Sequence, residues 1–112
     1  MNEAQRARVA GYLGLAQRAG KIAAGDTAAK TALLKGRACL LVLAEDASAA
    51  VREELLALAG SDVPVLFWPD KNDLGLIVGK SRRGALALLD EGFAGAIAKV
   101  LAPDTDTAVR RK

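Results

Sequence analysis

Apolar residues along this chain fall into short blocks whose spacing switches between a helical and an extended period. From Ala4 to Ala19, Val9, Leu13 and Ala16 recur at helical intervals, and Gly20 stands where such a helix would end in a left-handed turn. The short stretch Lys21 to Ala24 leads to Gly25-Asp26, with Asp26 expected to cap a second helix over Thr27 to Lys35 that Gly36 closes. Cys39 to Ala44 is unbroken apolar sequence, the mark of a strand covered on both faces and paired in parallel, and Glu45-Asp46 ends it. Ser48 can cap a third helix that turns Val51, Leu55 and Leu58 inward, before Gly60-Ser61-Asp62 turns the chain. Val63 to Trp68 reads as a strand, with Pro64 placing its start at an edge or ahead of the pairing. Pro69-Asp70 opens a short helix through Leu74, Ile77 and Val78 to Gly79. A last strand from Gly84 to Leu89 and a final helix carrying Phe93, Ile97, Val100 and Leu101 follow, and Pro103 stops the helix.

Strands alternating with helices predict an α/β protein, a three-layer α/β/α sandwich around a mixed, mostly four-stranded central sheet that is read as mixed or mostly parallel. The 112 residues suffice for one domain and one core. Residues 1–102 are expected to form it, and residues 103–112 to be a flexible basic tail ending in Arg110-Arg111-Lys112. Hydrophobic residues make up 52% of the chain, much of it alanine, so helices can approach the sheet closely with only four aromatics, Tyr12, Phe67, Trp68 and Phe93.

The composition narrows the chemistry. With one cysteine and no histidine, neither a disulfide framework nor a Cys/His zinc site can be built, and Cys39 reads as a small buried hydrophobe. No signal-like segment or membrane-length apolar stretch is evident, so the cytoplasm is the expected location. The acidic pairs Glu45-Asp46, Glu53-Glu54 and Asp90-Glu91 fall at helix starts or on exposed turns, where capping and dipole effects account for them. No cofactor, metal or enzymatic activity is expected.

Charge changes the picture more than its net value of +3 suggests. Residues 1–37 carry seven cations against two acids, whereas residues 38–79 carry two cations against seven acids. Positive charge returns in Lys80-Ser81-Arg82-Arg83. If the fold sets the first third beside that loop, one end becomes positive and suited to a polyanion; a solvated surface explains the charge alone equally well. The second helix predicts Ala29, Ala32 and Leu33 on its core face, with Thr27, Lys30, Thr31 and Leu34 opposite, and its N-terminal N–H groups could dock on a nucleic-acid backbone. An ordinary capped surface helix is the competing reading, since Asp26 could occupy those groups and repel phosphate. The loop Gly79 to Gly84 does not match a phosphate-binding loop, because it leads into a strand.

Three stretches resemble a known family: Leu13 to Lys21 followed by Gly25, Leu41 to Ser48, and Asp73-Leu74-Gly75 through Val78-Gly79-Lys80. They are similar to the superfamily of kink-turn RNA-binding proteins that contains the archaeal ribosomal protein L-seven-Ae. Asp90-Glu91-Gly92-Phe93-Ala94 resembles its bacterial YlxQ-like branch in particular. The resemblance implies the same sandwich, with RNA held by the start of the second helix and the loop before the last strand. The family's helix begins with glycine, a variable residue, asparagine and glutamate, with lysine three positions after the glutamate. The aligned residues here are Gly25, Asp26, Thr27, Ala28 and Thr31, with Lys30 one place early. The candidate RNA-binding residues are therefore Lys21, Gly25, Asp26, Thr27, Lys30, Thr31, Lys35, Lys80, Ser81, Arg82 and Arg83. The expected partner is structured RNA, with ribosomal RNA and ribosome-associated proteins as candidates. A protein-interaction module that kept the fold but lost kink-turn recognition remains the alternative.

Overall fold

Side-chain caps set the starts of four of the five helices in the computed structural model, which describes residues 1–102. Asn2 and Gln5 form a reciprocal capping box at α1 (Glu3–Arg18). Ser48 accepts from the Val51 N–H at α3 (Ala49–Ala59), Asp70 from the Asp73 N–H at α4 (Lys71–Ile77), and Asp90 from the Phe93 N–H at α5 (Glu91–Leu101). The exception is α2 (Asp26–Leu34). Its N-cap is Gly25, and no side chain caps it. Asp26 is the first helical residue rather than the expected cap, and its carboxylate accepts only from the neighbouring Thr27 N–H at 3.0 Å.

Four strands form one sheet in the order β1-β4-β2-β3, where β1 is Ile22–Ala24, β2 Leu40–Ala44, β3 Val65–Trp68 and β4 Ala85–Leu88. The sheet is mixed as expected, but the mostly parallel form is corrected: β2 runs parallel to β3 and antiparallel to β4, and β1 is also antiparallel to β4. An apolar run reports burial on both faces without reporting direction, and β2 and β4 are indeed buried along their whole length. β1 has no counterpart among the strands read from sequence, because three residues hold no period. It exists by completing the free edge of β4, with Ile22 opposite Leu88 and Ala24 opposite Leu86.

Helices cover both faces. α1 packs on α5 and α4, while α2 packs on α3 and over β4. Between them lies one apolar core with Leu13, Leu41, Leu43, Trp68, Leu86 and Leu88 at its centre. Trp68 is fully buried, and its indole N–H donates to Asp73 Oδ2 at 2.8 Å, which ties the end of β3 to α4. The registers place the C-terminal ends of β1, β2 and β3 with the N-terminal end of β4 at one end of the sheet, called here the upper end. The basic tail, residues 103–112, lies outside the described residues.

Candidate nucleic-acid interface

At the upper end the chain passes from β1 into α2 through a single residue. Gly25 donates to the Ala85 carbonyl at 2.8 Å, extending the β1–β4 ladder, and its own carbonyl accepts from Ala29 to begin the helix. One residue can serve strand and helix together only by turning sharply. Gly25 does so at φ 103°, a conformation L side chains rarely adopt. The consequence is an α2 N-terminus without a side-chain cap, whose first-turn N–H groups at Asp26 and Ala28 keep their partial positive charge available.

The loop before β4 lies against this turn. Arg83 passes over Gly25, so that a Cβ added there would stand 3.7 Å from Arg83 Cδ and Nε. The arginine is held from several sides. Its backbone N–H donates to the Lys71 carbonyl at 3.0 Å, and its guanidinium donates to the Arg82 carbonyl at 2.9 Å and to Ser81 Oγ at 3.3 Å. Gly75 sets the loop's approach to α4. A Cβ at Gly75 would overlap the Ser81 carbonyl oxygen and lie 2.7 Å from its carbon, while the Gly75 carbonyl accepts from the Lys80 N–H at 2.8 Å. Sequence reading assigned Gly75 no such role; the one available signal was a glycine inside a helical pattern. Gly84 completes the strand start by accepting from the Ala44 N–H at 2.8 Å.

Between the two segments is an open groove lined by Gly25, Asp26, Thr27, Arg82, Arg83 and Gly84, with Ala24 and Ala28 beside them. Asp26 and Arg82 are exposed, and no aromatic side chain lines the groove. Of the nearby acids, Asp46 accepts from the Lys71 N–H at 2.9 Å and Asp70 caps α4, so both carboxylates face helix-start dipoles.

Not every candidate residue reaches this corner. Gly25, Asp26, Thr27, Arg82 and Arg83 meet there, with Ser81 and Lys80 on the adjoining loop. Lys21 does not: its carbonyl accepts from Leu89 at the lower end of the sheet, about 13 Å away along β1 at 3.3 Å per residue. Lys35 is the C-cap of α2, again about 13 Å from the helix start at 1.5 Å per residue. Lys30 is turned to α3, where its ammonium meets Glu54 at 2.7 Å. Thr31 donates its hydroxyl to the Thr27 carbonyl at 3.1 Å, a bond within its own helix. The expected gathering of the first third's cations at one end is thereby corrected. α1, β1 and α2 run up and down the molecule, which leaves Arg18, Lys21, Lys35 and Arg37 at the lower end. Among the described residues no group of three or more histidine, cysteine, aspartate or glutamate side chains could hold a metal ion. No described helix is long and apolar enough to cross a membrane.

An α/β/α sandwich with a basic loop pressed against an uncapped helix start defines a class of small domains. The family comparison gives that class its name: residues 7–98 match the ribosomal protein L7Ae/L30e/S12e/Gadd45 family, and the chain belongs to it. It is 32% identical over 90 residues to the RNA-binding protein YlxQ of Bacillus subtilis (strain 168), a match covering 80% of this chain and 90% of that protein. Among solved structures it is similar to a protein of unknown function from Bacillus halodurans C, with a TM-score of 0.76, 30% identity, and coverage of 82% of this chain and 94% of that one. The 15.5kD RNA binding protein of Giardia lamblia shares the fold at a TM-score of 0.73 and 24% identity, covering 89% of this chain and 87% of that one.

Proposed function

We propose that this protein binds structured RNA at the groove between the α2 start and the Lys80 to Arg83 loop. The observation that carries the reading is the juxtaposition of the uncapped α2 N-terminus with Arg82 and Arg83. Arginines beside free N–H groups suit phosphate oxygens, which fix position without reading sequence. The family and the name of the Bacillus subtilis relative support the same ligand class. Recognition by shape is favoured over base reading. The groove has no aromatic on which single-stranded bases could stack, and Thr31 spends its hydroxyl within the helix. Thr27 and Asp26, both exposed at the groove, are the polar groups left to meet base edges.

The test is an anisotropy titration of a labelled hairpin containing a kink-turn against a continuous duplex of equal length, for the parent chain and Arg82→Glu/Arg83→Glu. Binding by the double variant should be at least tenfold weaker, with a salt slope shallower by about one to two phosphate contacts. Lys35→Glu should bind as the parent does. Equal affinity of the parent and the double variant would remove this groove from the RNA site. Absence of RNA binding by the parent would select the alternative, a protein-docking module, which the replacement of asparagine, glutamate and lysine at Thr27, Ala28 and Thr31 favours.

A further inference from the structure

Along the seam between α1 and α5 runs a second groove that neither the core nor the proposed RNA site accounts for. α1 turns Val9, Leu13 and Ala16 inward, while Arg8, Gly11, Tyr12, Leu15 and Arg18 form an outward stripe at helical spacing that lines a shallow depression adjoining the seam, the two sharing Arg8 and Tyr12. α5 supplies the other wall through Gly92, Gly95, Ala96 and Lys99. The wall is partly apolar and open to solvent, with Leu15 47% exposed. Gly95 lies in the seam and Gly11 in the adjoining depression on α1, and the described fold asks for neither glycine. A Cβ at either position would meet nothing within 4 Å, and neither has a positive φ. Glycine weakens a helix relative to alanine, and no close approach among the described residues compensates here. What the two missing side chains do provide is room for another backbone to come near.

Charge states what kind of backbone. Arg8 and Lys99 line the seam together, and Arg18 stands at the far end of the adjoining α1 depression, about 15 Å further along α1 at 1.5 Å per residue. Among the described residues Glu91 is the single acid in either lining. The ion pairs among the described residues are Arg6–Asp73 and Lys30–Glu54, so none of these three cations is paired there.

We propose that the α1–α5 groove docks an acidic amphipathic helix of a protein partner. Leucine- or valine-type side chains of that helix lie over Tyr12 and Leu15, and carboxylates about ten residues apart meet Arg8 with Lys99 at one end and Arg18 at the other. A nucleic-acid strand fits less well, because Tyr12 is half-buried and no second aromatic lines the groove. The proposal does not depend on the RNA reading, whose groove is built from other residues.

The probe is a synthetic helical peptide about five turns long, leucine along one face and glutamate clustered at both ends, titrated into the nitrogen-15-labelled full chain. The amides of Gly11, Gly92 and Gly95 should shift, and the affinity should fall at least tenfold in Arg8→Glu/Lys99→Glu and, separately, in Gly95→Leu. Thermal melts establish that both exposed-site variants fold. No shift at millimolar peptide, or shifts that survive both variants, would overturn the proposal. So would glycine amides that move with the chain's own concentration, which would assign the groove to a second copy, or duplex RNA that moves the same amides and displaces the peptide.

Discussion

Replacing Gly75 by alanine should destabilise the protein although alanine is the better helix former. The added Cβ would overlap the Ser81 carbonyl oxygen and approach the Ser81 carbonyl carbon to 2.7 Å and Arg82 Cα to 3.1 Å. Carbon atoms settle about 3.5 to 4.0 Å apart, so the loop backbone would have to retreat by roughly 1 Å. It is not free to do so, because Lys80 N–H donates to the Gly75 carbonyl at 2.8 Å and Arg83 N–H to the Lys71 carbonyl at 3.0 Å. Overpacking costs about 1 to 3 kcal/mol and each strained hydrogen bond about 1 kcal/mol more, against a helix-propensity gain of about 1 kcal/mol. The net loss is about 2 to 4 kcal/mol, or a fall in Tm of roughly 10 to 20 °C for a domain of this size. Gly95→Ala is the control. Its Cβ would meet nothing within 4 Å, so only the propensity gain remains and stability should rise by about 0.5 to 1 kcal/mol. Urea denaturation followed by circular dichroism reads both. A Gly75→Ala variant as stable as the parent would refute the close approach of the loop to α4, and with it the placement of Arg83 over Gly25.

Three further outcomes follow from individual contacts. Trp68→Phe removes an indole N–H that donates to Asp73 Oδ2 at 2.8 Å from a fully buried ring, and should cost about 2 to 3 kcal/mol by chemical denaturation; a loss under about 0.5 kcal/mol would show the bond to be idle. Lys30→Ala breaks an ion pair whose side chains are 44% and 49% exposed, so it should cost no more than about 0.5 kcal/mol. It should also leave RNA affinity unchanged, and a double-mutant cycle with Glu54→Ala giving a coupling above about 1 kcal/mol would contradict this reading. Burial raises the Cys39 thiol pKa, with the negative charges of Glu91 and Asp90 adding to the effect. A raised pKa means less thiolate, so iodoacetamide at pH 8 should alkylate Cys39 more slowly in the folded chain than in the urea-unfolded one, and Glu91→Gln should speed the folded reaction. Equal rates in folded and unfolded protein would disprove the shift.

Much of the fold was legible because local physics decides it. Ser48 and Asp90 cap the helices their positions suggested, and the helix and strand limits read from periodicity differ from the observed ones by one or two residues. What escaped were features decided by tertiary partners. β1 is a strand because β4 has an edge to fill, a fact no three-residue stretch contains. Asp26 has the chemistry of a cap, yet the chain must leave β1 and enter α2 within one residue. That turn needs a positive φ, so glycine takes the cap position and moves the aspartate into the helix.

The candidate site was legible for a related reason, and in part illegible for the same one. Residues adjacent in sequence share an end of the molecule only while the chain does not reverse, and this chain reverses after every element. The block of seven cations before residue 38 spans α1, β1 and α2, so it is split: Arg6 and Arg8 stand toward the upper end, Arg18, Lys21, Lys35 and Arg37 at the lower end, and Lys30 between them. Arg82 and Arg83 escape that division because they lie in a loop immediately before β4, whose antiparallel pairing with β1 sets Ala85 against Gly25. The local charge at the α2 start therefore comes from two arginines nearly sixty residues away in sequence, and not from the cation-rich segment that contains the helix itself. It follows that charge reversals at the lower end, Lys21→Glu with Lys35→Glu, change the net charge by more than the Arg82→Glu substitution alone and yet should weaken RNA binding less. At 0.15 M salt the screening length is about 8 Å, shorter than the roughly 13 Å that separates those lysines from the groove. An RNA affinity that tracked net charge instead of position would show that the bound phosphates extend over the whole sheet edge.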